Sequence, residues 1–179
     1  MSEHPHVSPP DGTLTVRQLT TRYVGIDPGL TGAIAVLLPD GTVSCFDAPV
    51  EWVQRGRRKG REYDVGAMRR LLVTELGDPK NVCVVLERNH GMPHEGVRSV
   101  CSICRGVALW EGICCGLGLG VRRVLPQEWK THAGLIGAEK CASRICAAGH
   151  FPLVDLGPRT MTGRADALLI AVYGRARAF

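Results

Sequence analysis

Three widely separated carboxylates, Asp27, Glu87 and Asp166, each sit at the edge of an apolar segment. Asp27 is the most pointed of them. The run Tyr23-Val24-Gly25-Ile26-Asp27-Pro28-Gly29-Leu30-Thr31-Gly32-Ala33-Ile34-Ala35-Val36 reads as an apolar strand, a glycine-rich bend and a second apolar strand. An ionised side chain is costly to take out of water, so a carboxylate at that place calls for a positive partner. Three acids brought together would repel one another and their pKa values would rise. Divalent cations relieve such repulsion, and an oxygen-rich set prefers magnesium, with manganese as its substitute. Two such ions, typically ~3.5–4 Å apart, can activate a water and stabilise a leaving oxygen in phosphodiester hydrolysis. Each acid also has a plainer reading. Asp27 could satisfy backbone N–H groups in a turn, Glu87 could pair with Arg88 or Arg105, and Asp166 could cap a helix.

The elements that position these acids can be read from the pattern. Strands are predicted at Tyr23–Asp27, Ala33–Leu38 and Thr42–Phe46, with Pro39-Asp40-Gly41 as a hairpin turn. Asp64 caps a predicted helix to about Glu75, with Val65, Met68, Leu71 and Leu72 at helical spacing. Val82 to Leu86 is a continuous apolar run ending at Glu87, as in a strand covered on both faces. A long helix follows from about Val97 to Leu117, then a strand at Val121–Leu125 and a short helix opened by Pro126. Further helices are predicted at Ala138–Ala148 and at Arg164–Arg177. In the last, Asp166, Leu169, Ile170 and Tyr173 share one face, so Asp166 lies on the packed stripe. The class is α/β with a mixed five-stranded sheet flanked by helices.

With 179 residues, the chain suits one domain at 22–179 behind a disordered Pro- and His-rich tail at 1–21. No apolar run reaches the ~20 residues of a membrane span, and the first residues lack a signal-peptide core. The net charge is +5, concentrated where Arg55, Arg57, Arg58, Lys59 and Arg61 crowd into seven positions. That cluster is either a solvated loop or a flexible contact for a polyanion such as nucleic acid. Eight cysteines are scattered, mostly within predicted helices, and their spacing does not suit a zinc site. Scattered reduced thiols point to an intracellular, cytoplasmic setting; a plastid address would require a transit peptide already removed.

Gly25-Ile26-Asp27-Pro28-Gly29, Val84-Val85-Leu86-Glu87 and Gly163-Arg164-Ala165-Asp166-Ala167-Leu168-Leu169-Ile170-Ala171 occur in the order seen in RuvC-type Holliday junction resolvases. The chain most resembles the phage and chloroplast branches of that family, also through Arg105-Gly106, Ile136 to Lys140 and the closing run Ala167 to Gly174. The resemblance implies a ribonuclease-H-like fold and a magnesium-dependent endonuclease that nicks four-way DNA junctions symmetrically as a homodimer. It implies that Asp27, Glu87 and Asp166 hold metal. Lys140 resembles a family lysine near the scissile phosphate, and Lys130 one that binds backbone. His90 lies where family members approach the junction centre; it is either a DNA contact or an ordinary loop histidine.

One departure stands out. The family supplies a fourth ligand, Asp or His, three or four residues before its last acid, where this chain has Gly163 and Thr162. Either Asp155 or a water fills that gap, or a second metal is held weakly, or the substitution has disabled cleavage. The last case gives the alternative reading of a branched-DNA-binding protein that does not cut. A sugar-kinase-like or actin-like ATPase also places Asp beside glycines, but needs two such domains.

Overall fold

A computed structural model describes residues 20–88, 96–139 and 141–179, apart from the side chain of Arg55. His90, Lys140 and all but the last two residues of the expected tail therefore lie outside the described residues. Among the described residues, seven strands and five helices follow in order: β1 Arg22–Asp27, β2 Ala33–Leu37, β3 Val43–Asp47, β4 Val50–Arg55, β5 Arg58–Tyr63, α1 Val65–Leu76, β6 Val82–Glu87, α2 Val97–Gly116, β7 Gly120–Val124, α3 Pro126–His132, α4 Ala142–His150 and α5 Gly163–Ala176. The main sheet runs β3-β2-β1-β6-β7. Its first three strands are antiparallel neighbours, whereas β6 and β7 run parallel to β1. This is the expected mixed five-stranded sheet.

Alternation along the strands divides the core in two. Val24 and Ile26 of β1 and Val84 and Leu86 of β6 join Met68, Leu72 and Trp110 from α1 and α2. Tyr23 of β1 and Cys83 and Val85 of β6 join Leu168 and Ile170 of α5 on the opposite face. Side chains two apart share a face of a strand, so Asp27 follows Tyr23 and Gly25 onto the α5 side. Glu87 follows Cys83 and Val85 to the same side.

Local chemistry sets the boundaries. Gly41 adopts φ 92° in the turn between β2 and β3, where Asp40 Oδ1 accepts the Thr42 N–H at 2.8 Å. Asp64 caps α1 by accepting the Ala67 N–H at 2.8 Å. Pro126 begins α3, and the Glu128 carboxylate reaches back to the Leu125 N–H at 2.6 Å.

Two expectations need correcting. The basic stretch is not a loop: β4 and β5 form a separate two-stranded ribbon, turned at Gly56-Arg57. Gly56 has φ 60° at the first central position of this two-residue turn, a geometry suited to glycine. Charged residues had hidden the alternation around Val53 and Tyr63. Helix α4 also starts later than its apolar spacing suggests, at Ala142. Turns at Gly134 and Gly137, with φ 67° and 73°, occupy the preceding segment. All eight cysteines are free thiols. No helix among the described residues is long and apolar enough to cross a membrane.

Candidate functional site

Register and close packing bring the three acids to one end of the sheet. Ile26 lies beside Leu86 in the parallel β1–β6 pair, so the next step along both strands sets Asp27 beside Glu87. Helix α5 crosses this face almost backbone to backbone. A Cβ at Gly25 would come within 2.0 Å of the Ala167 carbonyl oxygen, so a larger residue would push the helix away. Asp166 precedes Ala167 on that helix and is carried over the strand ends with it. Its burial is partial, as is that of Asp27, while Glu87 is only 6% exposed.

The electrostatics follow from that placement. Burial is the main cause that pushes Asp27 up to about 7; the charges of Glu87 and Asp166 push the same way, against the Gly29 N–H and Lys130. Burial likewise raises Glu87, opposed by a hydrogen bond from Trp129 and reinforced by Asp166. Asp166 is raised by burial, while hydrogen bonds from Ser143 and Thr162 and the charge of Lys130 pull it back. The acids therefore feel one another's charge, and Lys130 is a cation that all three feel.

This donor set fits a hard divalent ion in its chemistry, with three carboxylates in mutual repulsion and oxygen as the only ligand atom. Among the described residues, no three His, Cys, Asp or Glu side chains are gathered closely enough to hold a metal as they stand. Each acid is engaged by the protein meanwhile. Asp27 Oδ1 accepts the Gly29 N–H at 3.1 Å, as its plainer reading as a turn residue expected. Glu87 Oε1 accepts the Trp129 Nε1–H at 2.9 Å. Beside Asp166, Lys130, Ser143 and Thr162 help line a cleft of about 260 Å³, wide enough for a phosphate group.

The place of the missing fourth ligand has a steric explanation. A Cβ at Gly163 would stand 2.5 Å from the Thr31 carbonyl oxygen and 3.0 Å from Gly32. The start of α5 is pressed onto the Asp27–Gly32 bend, and no ligating side chain fits there. Thr162 turns its hydroxyl to Asp166. Asp155 is committed elsewhere, accepting from Arg164 Nη1 at 2.7 Å and the Gly157 N–H at 2.8 Å. Arg105, one of the two plain partners expected for Glu87, instead contacts Glu62 at 3.2 Å.

Sequence reasoning missed Trp129 as a partner of Glu87, and Ser143 as a partner of Asp166. Buried indoles usually direct their N–H to an acceptor, and Trp129 does so where the equally buried Trp110, among the described residues, does not. It also missed Tyr63, whose hydroxyl lies 3.0 Å from the Pro28 carbonyl oxygen and 3.1 Å from that of Ser102. That hydroxyl ties the root of the basic ribbon to the bend that carries Asp27. Among the sequence-predicted DNA contacts, Lys130 reaches the acid centre, its Nζ 5.3 Å from the centre of the Trp129 ring. Arg57, Arg58, Lys59 and Arg61 are exposed on the ribbon, and Arg55 belongs to its first strand.

Solved structures share this architecture. Thermus thermophilus RuvC is similar with a TM-score of 0.55 and 17% identity, over 87% of this chain and 94% of that one. The chain has the RuvC fold. T. thermophilus RuvC in complex with Holliday junction substrate gives a TM-score of 0.57 at 15% identity, over 87% and 93%. The yeast mitochondrial Holliday junction resolvase, Ydc2, gives 0.52 at 13% identity, over 94% of this chain and 82% of its own. At these identities the likeness is one of fold. No family model and no curated protein sequence matches the chain.

Proposed function

We propose that this chain is a structure-selective DNA endonuclease that resolves four-way junctions by symmetric nicking, with residues 22–179 as its nuclease domain. The observation that carries this reading is the mutual charge coupling of Asp27, Glu87 and Asp166 at one sheet end, beside Lys130. The motifs shared with the phage and chloroplast resolvases support the same assignment. Asp27, Glu87 and Asp166 would hold magnesium or manganese, which when bound would neutralise the acids and supply an activated water. The chain's own groups do the rest. Lys130 offers a fixed positive charge to the phosphate in the adjoining cleft, where charge develops during displacement. Lys140, which the resemblance places near the scissile phosphate, and His90 belong to the same proposal. The ribbon cations Arg55, Arg57, Arg58, Lys59 and Arg61 track backbone phosphates. A two-fold homodimer presents two equivalent sites to a symmetric junction.

The test is a synthetic four-way junction incubated with magnesium, with and without chelator. Paired nicks that the chelator removes are expected, and Asp27→Asn should abolish them while retaining junction binding. Equal nicking by this variant and the wild type would remove Asp27 from the mechanism.

A second reading, junction binding without cleavage, is favoured by the closed position at Gly163 and by the hydroxyls that already occupy Asp166. Binding with no nicks under either metal would establish it.

A further inference from the structure

A cleft of about 730 Å³ opens between the basic ribbon and the first turns of α2. Arg58, Lys59 and Arg61 of β5 line one side, and Arg98 and Arg105 of α2 line the other. The wall's carboxylate, Glu62, is engaged by Arg105 at 3.2 Å. Among the described residues, Arg58, Lys59, Arg61 and Arg98 have no carboxylate partner. Between the cations the surface is apolar, through Leu30 and Val97, the latter 78% exposed.

Just outside, β4 carries Trp52, which is 69% exposed although tryptophan is usually covered. Trp52 lies directly across from Arg61 in the antiparallel ribbon, so the two share a face. Cations that track phosphates, with an aromatic platform on which bases stack, make the common recipe for a single nucleic-acid strand. At about 730 Å³ the cleft has the scale of a small-molecule site, enough for a nucleotide or two and too small to enclose a double helix. Its inner end meets the catalytic bend, because Leu30 lies three residues past Asp27 and Tyr63 contacts Pro28.

We propose that this cleft binds an unpaired DNA strand, with Trp52 stacking on a base and Arg58, Arg61 and Arg98 holding the phosphates. The inference rests on the junction-nuclease reading and adds to it a separate single-strand site. A junction in that site would have bases drawn out of their stack at the crossover.

The experiment uses the full chain, an oligothymidine, a duplex of equal length and a four-way junction. Trp110 and Trp129 are buried, at 0% and 1% exposure, so quenching of tryptophan emission by a stacked base reports on Trp52. Oligothymidine should quench it and the duplex should not. Trp52→Leu should abolish the quench, and Arg98→Glu should weaken oligothymidine binding by about tenfold or more. Circular dichroism confirms that both variants are folded. Quenching by duplex as strong as by oligothymidine would overturn the proposal, as would wild-type affinity in Arg98→Glu. If junction binding persists with either result, the cleft assignment alone falls; if no DNA is bound at all, the nuclease reading falls with it.

Discussion

The acid end of the sheet and the basic ribbon are built on opposite plans. The acids come from three distant segments and are held by buried register, by a helix pressed onto Gly25, and by Trp129, Ser143 and Thr162. The ribbon is local, formed by two adjacent strands and exposed along most of its length. Its link to the acid end runs through Tyr63. Both regions carry like charges in proximity, but only the first is buried. Burial, with repulsion added at Asp27 and Glu87, therefore raises pKa values at the acid end, whereas water and salt screen the like charges of the ribbon. A site that must hold charge inside needs a rigid frame; a surface that must meet a polyanion needs only to present its charge.

Breaking the acid end should have the largest effects. Asp27→Asn is expected to reduce nicking by about a thousandfold or more. In metal-free protein it should also stabilise. The folded-state pKa of Asp27 is about 7 against an ordinary 3.8, so the folded chain holds this proton more tightly than the unfolded one. That stability is fully present below about pH 4 and is lost as pH rises through about 7. Asparagine cannot lose it. The variant's advantage should be small at pH 4 and grow by pH 8 to at most about 4 kcal/mol. Chemical denaturation in chelator across that range measures it. A constant difference would mean that the fold does not raise the pKa of Asp27.

Gly25→Val tests the frame itself. Its first added atom would meet the Ala167 backbone at 2.0 Å, so α5 must move or the strand must bend. A loss of roughly 3 kcal/mol or more is expected by thermal unfolding, while Arg57→Ala on the ribbon turn should stay within about 0.5 kcal/mol.

Much of this frame was legible in the chain. Parity along Tyr23–Asp27 and Val82–Glu87 puts both acids on one face, and the i, i+3, i+4 spacing after Asp166 puts that residue on the stripe facing them. Those signals are local and periodic. The closed position at Gly163 was not legible, because it depends on a contact with Thr31 across most of the chain. Trp129 falls within the predicted short helix opened by Pro126, but its hydrogen bond depends on how β7 and α3 lie beside β6. The ribbon was missed for a different reason. Its alternation is written largely in charged side chains, which report exposure more strongly than strand.

Trp129→Phe removes one hydrogen bond and little volume. Glu87 would then lose the donor that favours its ionised form. Manganese affinity by calorimetry should fall by about 10–100-fold, as for other groups that orient a ligand, with metal-free junction binding unchanged. On the ribbon, Arg58→Ala combined with Lys59→Ala should lower the slope of log affinity against log salt by about one for each lost phosphate contact. Unfolding should hardly change. An unaltered salt slope would move the DNA path off the ribbon.

The smallest expected effect sharpens the contrast between the two regions. Glu51, which is exposed, lies directly across from Glu62 in the ribbon register, a like-charge pair whose second member also meets Arg105. Glu51→Lys would turn that pair into an attraction, worth roughly 0.2–1 kcal/mol in a cross-strand position. It also adds positive charge to a surface assigned to DNA. Slightly higher stability and tighter binding should therefore appear together, and both should shrink as salt is raised. Glu51 is exposed and water and salt screen its charge, so the gain should be nearly flat between pH 6 and pH 7, a range in which the buried Asp27 penalty is still growing. If the Glu51→Lys gain instead followed the pH profile of Asp27→Asn, the ribbon and the acid end would be electrostatically one site.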